Sequence, residues 1–327
     1  MLDLQRLHRI ELVPRPRSHR ILGRWVVGPL FDLRGVRVRV EHAERVPREP
    51  VIFAMNHTDR FNYLPLQLWL LREQGRFTAV WVKGKYYEHP LIAAFMEHTN
   101  QLPTVSRGYL VSRDFLSLHG RAPTEAEYEA LRALVDGRAD EGTVRSVVPT
   151  GTLDRPRNML GRPFEPGAES YAEAVRALFA AMMRRFVELN RRVFEVGLDL
   201  LVFPQGTRSI RLSRGHPGLA HVALDVRRPV VPVGMSGSDR IFPGNSPVPR
   251  PGEVVVRFGE PIRYEDVPDL HLPPFEPFSV RAEQAHGAVF QTFVDRIMDR
   301  IDALLDPPYR YADDRASDGV RGTARFL

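Results

Sequence analysis

A histidine stands just past an apolar run, Val51-Ile-Phe-Ala-Met55, in the stretch Asn56-His57-Thr58-Asp59-Arg60-Phe61-Asn62. Imidazole changes protonation near neutral pH, so a histidine here can take a proton from a hydroxyl if a neighbour fixes its tautomer. Asp59, two residues on, and Asn62, five residues on, carry oxygens able to accept from the ring. The apolar run reads as a buried strand, and "YLPLQLWLLREQG" after it as a helix stopped by Gly75. His57 therefore sits at a strand-to-helix turn. Ligands of open α/β sheets gather outside the carboxyl ends of strands, which suits a base. A histidine that only caps the turn fits the same position.

The rest of the chain supplies the elements that must position this turn. "GVRVRVEH" (35–42) alternates apolar and basic residues, the mark of a half-exposed strand. "FTAVWVKG" reads as a strand, "PLIAAFMEHT" as a helix, and "NQLPTVSRG" as a short strand and turn. Further on, "LDLLVFPQGTRS", "RPVVPVGMSG" and "GEVVVRFGEPI" predict strands, with a helix at "GHPGLAHVALDV" and another over about 281–305. A long helix opens with a capping box at Ser170 and Glu173 and carries an apolar stripe of Val175, Leu178, Met182, Phe186, Leu189 and Val193. This alternation predicts an α/β domain over 35–305, its central sheet mixed but mostly parallel and flanked by helices. Residues 108–168 break the pattern and predict a helical or irregular insert, with a capping box at Thr124 and Glu127. Residues 1–34 predict an N-terminal arm: 1–20, rich in Arg and Pro, loosely held, and 21–34 an amphipathic segment that docks on the core or lies at a membrane interface. The polar tail 306–327 is expected to be poorly ordered.

Composition narrows the partners. There is no cysteine, which excludes disulfides and cysteine-ligated metal. The net charge of +6 rests almost wholly on arginine, since Lys83 and Lys85 are the only lysines. A basic surplus suits an anionic small substrate, an anionic membrane or nucleic acid. No zinc-finger spacing, helix-turn-helix pattern or aromatic-interleaved basic repeat speaks for nucleic acid. No run approaches the roughly 18 apolar residues needed to span a bilayer. The N-terminus shows no signal-peptide pattern, because Arg and Pro interrupt it by residue 15.

Four segments in order carry a resemblance. "NHTDRFN" (56–62), "QLPTVSRG" (101–108), "VFPQGTRS" (202–209) and "VVPVGMSG" (230–237) resemble blocks of the phospholipid/glycerol acyltransferase family, of which the lysophosphatidate acyltransferases are the familiar members. The resemblance covers about 35–265 apart from the insert. It implies transfer of a fatty acyl group from acyl-CoA or acyl carrier protein to a hydroxyl of a (lyso)glycerolipid-like acceptor. His57 would be the base, with Asn62 or Asp59 orienting it. Arg107, Gln205, Gly206, Thr207 and Arg208 would bind substrate: the arginines by gripping phosphate, the Gly206–Thr207 turn by offering backbone N–H groups to the acyl carbonyl. No metal or cofactor is implied beyond the thioester co-substrate. The expected setting is the cytoplasm, in peripheral contact with the inner face of the membrane. The insert, placed directly after the Arg107 block, is expected either to lie over the site as an acceptor-selecting lid or membrane-facing flap or to be an ordinary surface excursion. Two positions depart from the family pattern: Asn62 stands where the family has Asp, and Gln205 where it has Glu. A member with weak or lost catalysis that binds lipid or acyl groups is the alternative these changes suggest.

Overall fold

The computed structural model describes residues 2–244, 246–317 and 319. In chain order the strands are β1 (Val36–Glu41), β2 (Ile52–Met55), β3 (Thr78–Lys83), β4 (Gln101–Thr104), β5 (Arg157–Met159), β6 (Arg162–Phe164), β7 (Asp199–Val202), β8 (Val230–Ser236) and β9 (Gly252–Phe258). Seven of them form one sheet in the order β1-β9-β8-β2-β7-β3-β4, and β5 and β6 form a separate hairpin. Every pairing in the large sheet is parallel except β8 with β9. The expected mixed, mostly parallel α/β sheet is what the chain forms.

Burial on both faces explains the strand sequences. Every residue of β2, β7 and β8 is buried, and strands so enclosed read as continuous apolar runs rather than alternating ones. One face of the sheet is covered by the helix Tyr171–Glu195, whose predicted stripe from Val175 to Val193 is buried, and by the helix Val280–Leu304. The other face packs Leu66, Leu68 and Leu70 against Phe53, Val233 and Phe258.

Three expectations need correction. The N-terminal segment is not loose: Leu2, Leu7 and Ile10 are buried, and the Leu4 N–H donates to Leu160 O at 2.9 Å. Three apolar anchors outweigh a polar composition. Residues 21–34 dock through Val27 and Phe31 but leave Trp25 71% and Leu33 84% exposed. The insert is not peripheral at its start either. The helix Arg107–His119 buries Leu110, Val111 and Phe115, and its Asp114 is held bidentately by Arg157 at 2.9 and 2.7 Å. Finally, the tail is ordered through Ser317. Tyr309 O accepts from the Leu212 N–H at 2.8 Å, and Arg211 Nη2 donates to Tyr311 O at 2.6 Å. Residues 318 and 320–327 lie outside the described residues.

Candidate active site

The strand order decides which sequence segments meet. β2 lies between β8 and β7, and β3 lies on the other side of β7. Their carboxyl ends thus bring together His57, the Phe203–Arg208 turn and Lys83. Side chains then lock the ends in place. Asn56 pairs with Met235 of β8 twice, Oδ1 accepting from its N–H at 2.8 Å and Nδ2 donating to its carbonyl at 2.9 Å. The His57 N–H donates to Gln205 Oε1 at 2.8 Å, and His57 O accepts from the Ser209 N–H at 2.8 Å. The turn after β2 is therefore clamped on both sides.

The imidazole itself has one orienting partner. His57 Nδ1 lies 3.0 Å from Asn62 Oδ1, while Asn62 Nδ2 donates to Asn56 O at 2.8 Å. Because the amide NH2 is committed to a carbonyl, Asn62 must face the ring with its oxygen. The hydrogen-bond network thereby assigns the proton to Nδ1 and leaves Nε2 with its lone pair. The ring stacks on Phe203 with centroids 4.1 Å apart and planes 22° apart. It is half-buried in the wall of a cavity. That burial pushes its pKa down to about 3; the Asn62 bond raises it, and Arg208 and Lys83 push it lower. The imidazole is neutral at pH 7.

The other sequence-predicted residues divide. Asp59 does not reach the ring: its oxygens accept from the Thr58 hydroxyl at 2.9 Å and the Phe61 N–H at 2.8 Å, so it shapes the turn instead. Burial raises its carboxyl above the usual range. Gln205 is buried, and its NH2 points away from the cavity toward Arg211 O and Ser213 Oγ at 3.4 and 3.3 Å; it braces two loops. Gly206 adopts φ +67°, and a Cβ there would stand 2.8 Å from the His216 ring, so only glycine fits. Its N–H, expected to be open to substrate, is spent on Phe203 O at 3.0 Å. Thr207 and Arg208 line the cavity. Arg107 does not; it pairs with Asp136 at 3.3 Å and lies over the Phe179 ring.

The cavity at these strand ends has a volume of about 910 Å³. This is the upper part of the range for small-molecule sites, roughly 300–1,000 Å³. Its lining includes the cations Lys83, Lys85, Arg60, Arg132 and Arg208 and the apolar side chains Val80, Val82, Leu91, Ile92, Phe95 and Leu219. Sequence reasoning passed over Lys83 and Lys85, although the signal was present: the chain's two lysines sit together at the carboxyl end of a strand. Burial lowers the Lys85 pKa, with Arg208 and Arg113 adding to the effect. Arg132 and Tyr128 come from the insert and carried no local signal.

Residues 37–183 match the family described as Acyltransferase. A 1-acyl-sn-glycerol-3-phosphate acyltransferase of Cocos nucifera is 35% identical over 89 residues, 27% of this chain and 29% of that protein. One of Limnanthes douglasii is 33% identical over 89 residues, 27% of this chain and 32% of the relative. The matched stretch thus spans about a third of the length of these curated relatives. The crystal structure of the 1-acyl-sn-glycerophosphate (LPA) acyltransferase PlsC from Thermotoga maritima aligns over 91% of this chain and 88% of that one, with a TM-score of 0.38 and 16% identity.

Proposed function

We propose that this chain, an acyltransferase-family protein over residues 37–183, moves a fatty acyl group from a thioester to a hydroxyl of a glycerolipid-like acceptor. The observation that carries the reading is the His57 imidazole: neutral, held through Nδ1, and set in the wall of a cavity lined by both cations and apolar side chains. In the reaction Nε2 takes the acceptor's hydroxyl proton as the oxygen attacks the acyl carbonyl. The tetrahedral intermediate then collapses, the C–S bond breaks, and the thiolate leaves and regains a proton from the imidazolium. Arg208, Lys83 and Lys85 supply charge-assisted hydrogen bonds for phosphate. With the Gly206 N–H committed, Lys83 is the cation we assign to the developing oxyanion, on its electrostatic reach to His57. The donor is acyl-CoA or acyl carrier protein.

Peripheral contact with the inner face of a membrane belongs to the same proposal. His19 and Leu22 line the cavity together with Leu91, Ile92 and Phe95, and the Ser18 hydroxyl donates to His98 O. Beside them Ile21 and Trp25 on one segment and Leu91 on the other are exposed. No helix among the described residues is long and apolar enough to cross a membrane. An apolar rim next to the cavity would let a lipid acceptor enter without crossing water.

A second reading, a family member that binds acyl groups with little turnover, draws on the missing carboxylate at Asn62 and on the depressed His57 pKa. One assay separates them. Purified protein is given labelled acyl-CoA or acyl carrier protein with a panel of lysophospholipids and alcohols. The first reading expects an ester product that falls at least about 100-fold in His57→Ala. Binding of acyl donor without His57-dependent product assigns the second, and product that persists in His57→Ala ends the first.

A further inference from the structure

The helix Glu125–Val135 of the insert presents two faces. Leu131, Leu134 and Val135 are buried in the core, whereas Tyr128 and Arg132 line the cavity. Residues four apart lie one above the other on a helix, so these two share a side. Arg132 is anchored one turn on by Asp136, Nη2 to Oδ2 at 2.9 Å. The same carboxylate takes Arg107 at 3.3 Å and Arg138 at 3.3 Å.

Three guanidiniums around one carboxylate leave two positive charges unbalanced. Arg138 disposes of its share in water, since its side chain is 65% exposed. The other two are less exposed, at 29% for Arg107 and 23% for Arg132. Arg132 Nη1 and Arg107 Nε are buried donors with no hydrogen-bond partner among the described residues. A charged donor left without a partner is costly, so the surplus positive charge of this cluster favours an anion beside it. Of the three arginines only Arg132 lines the cavity, which Lys83, Lys85 and Arg208 also line.

We propose that Arg132 is a binding residue for a phosphate oxyanion of the substrate, with Arg107 acting from behind as a positioning residue. By sharing Asp136, Arg107 prevents that carboxylate from neutralising Arg132, which keeps a cation facing the cavity. A planar guanidinium backed by several further cations suits a multiply charged phosphate better than a single carboxylate. The insert thereby contributes to substrate selection from the cavity wall. The inference rests on the acyl-transfer reading. The phosphate has two possible sources, the acceptor's headgroup and the coenzyme A of the donor.

The test measures KM for 1-acylglycerol 3-phosphate and for acyl-CoA in wild type, Arg132→Gln and Arg138→Gln. Loss of a charged hydrogen bond predicts a rise of about tenfold in one KM for Arg132→Gln. The substrate whose KM rises identifies the source. Arg138→Gln removes the same charge from the same carboxylate outside the cavity, and both KM values should hold. The proposal is overturned if neither KM changes in Arg132→Gln, or if Arg138→Gln changes them equally. Should wild type make no ester at all, the acyl-transfer reading fails, and equilibrium binding of coenzyme A and of 1-acylglycerol 3-phosphate decides the arginine's role separately. Binding weakened about tenfold in Arg132→Gln would sustain it; equal binding to both proteins would end it.

Discussion

An asparagine that accepts from the Nδ1–H of His57 fixes the ring's tautomer, yet it offers no charge to the imidazolium that forms when Nε2 takes a proton. Asn62→Asp therefore sets two effects against each other. The carboxylate stabilises the imidazolium and raises the ring's basicity, so turnover should increase severalfold. It also loses the NH2 that now donates to Asn56 O, placing a buried anion against a carbonyl. That exchange should destabilise the fold by about 1–3 kcal/mol. A faster but less thermostable enzyme is the expected outcome, measured by kcat and by the melting midpoint. Unchanged kcat would show that the imidazolium's charge does not limit the rate. Gln205 teaches a related point. Its place in the family block suggested substrate contact, but the side chain accepts from the His57 N–H and turns its NH2 to Arg211 O and Ser213 Oγ. The motif pointed to the right turn of the chain; only packing reveals which of its side chains face the cavity and which face the other loop.

Elements were legible where burial leaves a periodic or continuous apolar record. β2, β7 and β8 are enclosed on both faces and read as uninterrupted runs. The helix Tyr171–Glu195 announced itself by a capping box and its apolar stripe. The helix Arg107–His119 was hidden, because its buried side includes Ser112, Arg113 and Asp114. Asp114 is tolerated there only through Arg157, 43 positions along the chain. No local pattern encodes such a pair. The tail was hidden for another reason: it is held through backbone groups, Tyr309 O to the Leu212 N–H and Arg315 O to the Arg214 N–H, which carry no residue signature. Those bonds give the tail a role in holding the loop that begins at Thr207 and Arg208. Thr207 Oγ1 and Ser317 Oγ stand 3.3 Å apart at its start. A chain ending at Leu305 should melt at lower temperature and bind phosphate-bearing substrate more weakly. Wild-type melting and affinity in that truncation would deny the strap any part in shaping the loop.

At the scale of the whole molecule, the sheet order places β2 between strands that arrive far later in sequence, so the site cannot exist before the chain has closed over separations of 148 and 179 residues. What that closure achieves at the strand ends is a single imidazole half-buried in the cavity wall. The sign of its pH dependence follows. An exposed histidine in the unfolded chain takes up a proton near pH 6.5. In the fold, burial lowers the His57 pKa to about 3, so between these values the unfolded state binds the extra proton. His57 therefore costs stability as pH falls below 6.5 and leaves it unaffected above. Across pH 5–8 the folded ring should hold one state, and substrate phosphate settling on Arg208 and Lys83 would weaken the two charges that oppose its protonation. The direct measurement is ¹⁵N NMR of histidine-labelled protein, with His57 identified by its absence from His57→Gln. A neutral ring protonated at Nδ1, unchanged from pH 8 to 5, is the predicted result. A ring protonated at Nε2, or one that titrates near pH 6.5, would contradict a base poised by Asn62.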